Sequence, residues 1–164
     1  MAKPGAASGL PVPGIDFPPV ELSQVHELLP WVQSYYAEDG ILFDAALVRP
    51  ALVRLLAEPA LGRAHFIVDR SEMSARAGYV VFTFGFDHEF GGPIATLTDL
   101  FVRLDYRGHG LGTGTLRFVA ETCQALGVCQ LELQVERHNA AGQALYRSFS
   151  FREHDRLPMF LPLA

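Results

Sequence analysis

The hydrophobic positions divide the chain into three stretches of different period. From Glu21 onward, Leu22, Val25, Leu29, Val32 and Tyr36 recur at spacings of three and four, one face of a helix. Pro30 falls inside that stretch and is expected to split it in two, and Gly40 to end it. Asp44 reads as the N-cap of a second helix reaching residue 57, with Pro50 opening its later half. The middle of the chain changes period. Segments 64–69, 78–86 and 94–103 are short, apolar and rich in β-formers, and Gly91-Gly92-Pro93 is turn chemistry. Three consecutive strands are expected, antiparallel because their connections are short. Beyond them a helix is expected over 110–126, with Leu116, Val119, Ala120 and Cys123 on its buried stripe and Gly127 closing it. In 128–136, Cys129, Leu131, Leu133 and Val135 alternate with polar residues, as in a half-buried strand. Asn139 then caps a short helix over 140–149, and 151–163 are expected to supply one or two last strands.

A strand–helix–strand unit joined to a meander gives a mixed α+β fold. At 164 residues one domain is expected, over 15–164. The segment 1–14, rich in proline and glycine, reads as a flexible tail, and Pro18-Pro19 limit any first strand to a short edge strand.

Composition narrows the chemistry. Apolar residues make up 49% of the chain, enough for a sizeable core, and the net charge is −5, opposite in sign to that of most nucleic-acid binders. No uncharged run is long enough to span a bilayer, and the N-terminal segment is not a secretory signal. Cys123 and Cys129 are too few for a disulfide framework or a four-ligand zinc site and read as reduced, buried thiols of a cytoplasmic protein. The six histidines include no i,i+4 pair, so no metal is expected.

The most informative segment is Leu104-Asp-Tyr-Arg-Gly-His-Gly-Leu-Gly-Thr113, between a strand and a helix. Gly108, Gly110, Gly112 and Gly114 alternate through it. Glycines let a ligand approach the main chain, and a helix start offers unpaired N–H groups, a seat suited to a pyrophosphate. No Gly-Lys pair exists for a P-loop, and Thr113 and Thr115 stand where a dinucleotide fingerprint needs its third glycine.

Arg107-Gly-His-Gly-Leu-Gly112 resembles the Arg/Gln-x-x-Gly-x-Gly/Ala signature of the GNAT superfamily of acyl-CoA N-acyltransferases. The resemblance extends back through Asp99-Leu-Phe-Val-Arg-Leu-Asp-Tyr106, and forward through Asn139 to Tyr146 and the turn ending at Phe151. It implies a central, mostly antiparallel sheet of six to seven strands, a βαβ acetyl-CoA-binding unit and flanking helices. It implies acetyl transfer from acetyl-CoA to a primary amine by direct attack. The diphosphate would lie on the backbone of Gly108, His109, Gly110, Leu111, Gly112 and Thr113, with Arg107 nearby and Asn139 also at the coenzyme. Strands 94–103 and 128–136 would splay, so that Phe101 and Val102 pair with the pantetheine arm.

Asn139 and Tyr146 are seven residues apart, about two helical turns, and so share a face. The resemblance makes Tyr146 the proton donor to the departing thiolate. Asp99 shares a strand face with Phe101 and could be the base, a holder of the ammonium group, or a buried structural carboxylate. Thr98-Asp-Leu-Phe-Val102 is similar to a segment of diamine and thialysine acetyltransferases, in which two adjacent acids bind the polyamine; here the first is Thr98. Glu38 and Asp39, with Asp87 and Glu89, are further acids for an acceptor cleft. The acidic balance of the chain and the partial diamine-type segment tilt the expected acceptor toward a small cationic amine. A non-catalytic acyl-CoA sensor is the alternative, disfavoured by Tyr146. Dimers are common in the family, so a homodimer is left open.

Overall fold

The computed structural model describes residues 14–71 and 75–163. The tail expected over 1–14 lies, apart from Gly14, outside the described residues. Five strands form one sheet in sequence order: β1 (Ile15–Asp16), β2 (Gly62–Asp69), β3 (Ala75–Asp87), β4 (Gly92–Val102) and β5 (Gln130–Leu133). The first four pair antiparallel and β5 joins β4 in parallel, across the helix α3 (Leu111–Ala125). The meander and the strand–helix–strand unit therefore stand as the sequence implies.

Helices α1 (Val25–Asp39) and α2 (Ala45–Ala57) cover one face of the sheet. Val25, Leu28 and Val32 of α1 and Leu52 of α2 pack there against Phe66, Tyr79, Val81 and Phe101. On the other face, Leu116, Val119 and Cys123 of α3 meet Val80, Phe82, Ala95 and Leu97. Helix α4 (Ala140–Ser148) adds Leu145 and Tyr146 to that layer. Among the described residues, no helix is long and apolar enough to cross a membrane.

Three expectations are corrected. Pro30 and Pro50 do not divide their helices: α1 and α2 run through them. Pro30 is exposed, and Val25, Leu28 and Val32 hold both halves of α1 against the sheet. Among the described residues the sheet has five strands rather than six or seven, because 151–163 form none. Pro158 and Pro162 remove ladder donors there, and Leu157, Met159, Phe160 and Leu163 project into solvent. Cys123 is buried but Cys129 is exposed, because β5 begins only at Gln130 and lies at the sheet edge.

Candidate active site

The pairing of β3 with β4 slips by one residue beside Val81. Val81 opposes Asp99 but Phe82 opposes Leu97, which leaves Thr98 as an extra, bulged residue. The slip reverses the side-chain alternation. Ala95 and Leu97 point to the α3 face, whereas Phe101 packs on the α1–α2 face, and Asp99, two residues away, shares it. Without the bulge Asp99 would lie in the α3 core.

Burial raises the Asp99 carboxyl to about 6, and the nearby Asp39 pushes the same way, against the bond from Tyr79. The Tyr79 hydroxyl donates to Asp99 Oδ2 at 3.1 Å, both residues being buried. Tyr35 and Tyr36 stand near the same carboxylate, and the phenol of each is raised by burial and by Asp99. The nearby Asp39 raises the Tyr35 phenol further. The phenol of Tyr146 is pushed up to about 12 by burial first and Asp39 second. Tyr35, Asp39, Tyr79 and Asp99 thus form a tyrosine cluster drawn from α1, β3 and β4, and Tyr146 of α4 lies within electrostatic reach of Tyr35 and Asp39. The sequence reading did not single out Tyr79 or Tyr35 as site residues. A usable signal existed for Tyr79: a tyrosine at the centre of an otherwise apolar strand needs a buried partner for its hydroxyl.

The β4–β5 pairing covers only Ile94–Leu97 against Gln130–Leu133, so β4 continues past the bulge with one edge open. The Arg103 amide bonds to the Ala77 carbonyl of β3. Strand alternation therefore turns the Phe101 amide to β3 as well, and the amides of Leu100 and Val102 to the open edge. The Val102 carbonyl, on that edge, accepts Nε of Arg107 at 2.7 Å.

The glycine loop meets α3 just beyond this edge. Gly108 and Gly110 both have φ +81°, a left-handed conformation that side chains resist, and open space surrounds the position a Cβ would take at each. No side chain caps α3 at Gly110, and the first bond within the helix from the loop is Gly114 N–H to the Gly110 carbonyl. The amides of Leu111, Gly112 and Thr113 therefore lack helical partners. Leu111 buries its side chain against Ile67, Ala77 and Val102, fixing the helix start to the sheet. His109 is exposed and Thr113 half-buried. Gly112 has a different reason from the one the motif suggests: a Cβ there would come within 2.9 Å of Leu145 Cδ2, so this glycine lets α4 approach α3.

Two acids that the sequence reading grouped together separate. Nη2 of Arg107 bonds both carboxylate oxygens of Glu38, at 2.8 and 2.7 Å, tying the end of α1 to the loop. Glu38 is thereby paired with a cation, while Asp39 belongs to the tyrosine cluster. Asp87 and Glu89 lie on the β3–β4 turn, where Asp87 accepts the Glu89 amide at 2.8 Å and Glu89 pairs with Arg156 at 2.5 Å. Asn139 caps α4, its Oδ1 accepting the Gly142 amide at 2.8 Å. Among the described residues, no group of three or more His, Cys, Asp or Glu is placed to hold a metal ion.

The chain is 41% identical over 59 residues to the ribosomal protein bS18-alanine N-acetyltransferase of Escherichia coli, a stretch covering 36% of this chain and 40% of that protein. The match thus spans about two fifths of the relative's length. An integron cassette protein from the mobile metagenome of Cole Harbour Salt Marsh superposes with a TM-score of 0.77 at 30% identity, over 93% of this chain and 91% of that one. A possible acetyltransferase from Clostridium difficile shares the fold, with a TM-score of 0.78 at 15% identity over 92% and 99% of the two chains. The resemblance to the diamine and thialysine branch is not sustained: the curated relatives are alanine N-acetyltransferases, and Thr98 sits in the bulge with no second acid beside Asp99. Residues 26–151 match the acetyltransferase (GNAT) family, and the chain belongs to that family.

Proposed function

We propose that the protein transfers an acetyl group from acetyl-coenzyme A to a primary amine, both held at once on the enzyme. The observation that carries this reading is the alignment of three features. These are the uncapped start of α3, the open edge of β4 against which Leu111 packs at Val102, and the buried Asp99 that the same strand carries two residues before Phe101.

The free amides of Leu111, Gly112 and Thr113, with the backbone of Gly108, His109 and Gly110, hold the diphosphate at the positive end of α3. Arg107 supplies a guanidinium beside them, its orientation set by Val102 and Glu38. The pantetheine arm adds to the open edge at Phe101 and Val102 as an extra strand, and the Val102 amide polarises the thioester carbonyl. The Asn139 side chain is engaged in capping α4, so its contribution is to position Tyr146.

Asp99, directly or through one water, takes the proton that makes the amine nucleophilic. Its raised pKa, about 6, makes it a better base than an ordinary carboxylate and leaves it ionised at neutral pH. Asp39 adds negative potential that attracts the ammonium form. The amine nitrogen forms the new bond to the thioester carbon, the carbon–sulfur bond breaks, the thiolate receives the Tyr146 proton, and the second nitrogen proton, released as the amide forms, returns through water to the Tyr146 phenolate. A phenol at about 12 is fully protonated at neutral pH and so available as a donor.

The test is to follow thiol release from acetyl-CoA in the presence of an amine panel, beside calorimetry of coenzyme binding. Release that depends on amine supports transfer. Binding without release from any amine would make this a non-catalytic acyl-CoA sensor, and no binding would remove the proposal altogether.

A further inference from the structure

We infer that the acceptor is a primary monoamine carrying an apolar alkyl or aryl body, not a diamine or polyamine. This rests on the transfer reaction proposed above and concerns what lies beside Asp99. A cavity of about 450 Å³ opens there between α1, α2 and the sheet, within the size range of small-ligand sites, roughly 300–1,000 Å³. Its walls include Val32, Val48, Leu52, Leu55 and Val81. Leu42 and Leu47 also line it while 92% and 70% exposed, so its outer rim is apolar too. Aliphatic groups left in water at the mouth of a cavity gain most when an apolar ligand covers them.

The polar groups in this cavity are few and gathered at one end. Asp99 and Thr98 stand on β4, with Thr83 and the Tyr36 ring near them. The other lining carboxylate, Asp44, is engaged as the N-cap of α2, its Oδ1 accepting the Ala46 amide at 2.8 Å. Glu38 is held by Arg107 and faces the coenzyme loop. Asp99, with Asp39 near it, therefore meets the reacting nitrogen, and no further free carboxylate is among the residues lining the route outward. The second ammonium of a diamine would sit against Leu47, Val48 and Leu52, where a charge loses its hydration without gaining a partner. An alkyl or phenyl group in the same place gains contact along its whole length.

The experiment compares amines of equal length with and without a distal charge: butylamine and hexylamine, phenethylamine, butane-1,4-diamine and hexane-1,6-diamine, with an alanine-initiated tripeptide as a further arm. The expected result is that kcat/KM rises about two- to fourfold for each methylene from butyl to hexyl. Hexylamine is expected to exceed hexane-1,6-diamine at least tenfold. Ala51, on the exposed face of α2 and on the cavity wall, offers an inversion. Ala51→Glu puts a carboxylate beside the distal end of the ligand without disturbing the helix, and should shift the hexylamine-to-diamine ratio at least tenfold toward the diamine. A flat dependence on chain length, a diamine equal to or better than hexylamine, or a tripeptide tenfold better than both would overturn the inference while leaving acetyl transfer intact. If no amine releases thiol, transfer itself fails. The cavity is then read by calorimetry of hexylamine and hexane-1,6-diamine on the coenzyme-bound protein, where absent or weaker hexylamine binding overturns the inference.

Discussion

The Tyr79 hydroxyl reaches Asp99 Oδ2 at 3.1 Å from the neighbouring strand, in a pair buried between α1 and the sheet. Burial pushes the carboxyl up and the Tyr79 bond pulls it down, so the value near 6 is a balance of the two. Removing the bond with Tyr79→Phe leaves burial unopposed. The acidic limb of kcat/KM, expected near pH 6, should move to higher pH. Losing a buried hydrogen bond to a charged group should also destabilise the fold by about 1.5–3 kcal/mol. A pH–rate profile beside urea titration at pH 7 checks both; an unmoved limb would show that Asp99 is not the titrating base.

Asp99→Asn should separate activity from stability. A general base contributes about 10²–10⁴ in rate, and kcat/KM should fall within that range. Stability should move the other way. The folded pKa lies above the unfolded one, so between about pH 4 and 6 the folded state binds more protons, and stability falls as pH rises through that window. The substitution removes this loss and should stabilise the protein at pH 7 by on the order of 1–3 kcal/mol, with the advantage vanishing near pH 4. Thermal melts of both proteins at pH 4 and 7 test the sign.

The reading of Asp99 also shows what was legible in the chain. Strand alternation correctly placed Asp99 and Phe101 on one face, because both lie beyond the bulge. Which face they take depends on the extra residue at Thr98, and a bulge leaves no periodic mark in five residues of strand. The glycine loop was legible because positive φ at Gly108 and Gly110 demands a particular residue type. The partner of Gly112 was not, since Leu145 lies on another helix. Glu38 and Asp39 are adjacent in sequence and opposite in role. Only the helical turn between them and the distant Arg107 decide which one is neutralised. The last strands expected over 151–163 failed for the reason a local pattern often does: apolar β-formers need a neighbouring edge, and the prolines at 158 and 162 interrupt any ladder.

That division between the two acids is itself testable. Asp39→Asn removes charge from the tyrosine cluster and should raise the amine KM about three- to tenfold, the loss of a nearby counter-charge in a partly buried site. Glu38→Gln should change the amine KM less than twofold and instead alter the KM for acetyl-CoA, because it releases Arg107. The ion pair is largely exposed, so stability should change by no more than about 1 kcal/mol. Steady-state kinetics with each substrate varied in turn distinguishes the two; matching effects on the amine would return Glu38 to the acceptor site.

The glycines of the loop should not respond alike. Gly110→Ala forces a side chain into a left-handed conformation at φ +81° and should destabilise by about 1–2 kcal/mol while weakening coenzyme binding. Gly112 lies inside α3, where alanine is favoured over glycine by up to about 1 kcal/mol, and its Cβ would meet only the far end of the Leu145 side chain. Gly112→Ala should therefore stay within about 0.5 kcal/mol of the parent, whereas Gly112→Val pushes Leu145 and with it the adjacent Tyr146. Denaturation midpoints and coenzyme calorimetry across the three variants check this order.

Tyr146 carries the most specific chemical assignment, and its phenylalanine variant the sharpest expectation. The ring packs edge-on against Phe151 at 5.8 Å and beside the α3 layer, contacts that Tyr146→Phe retains. Acetyl-CoA should then bind within twofold of its original affinity. Turnover should fall about 10²-fold or more, because the leaving thiolate loses its proton source. The raised pKa, about 12, places the loss of this acid far above the working range, so the parent enzyme should show no basic limb from Tyr146 below pH 10. An acyl donor with a less basic thiol needs less help in departing, so the variant's deficit should shrink as the thiol pKa falls. A deficit that stays constant across a series of such donors would mean that the hydroxyl orients the coenzyme instead of protonating it.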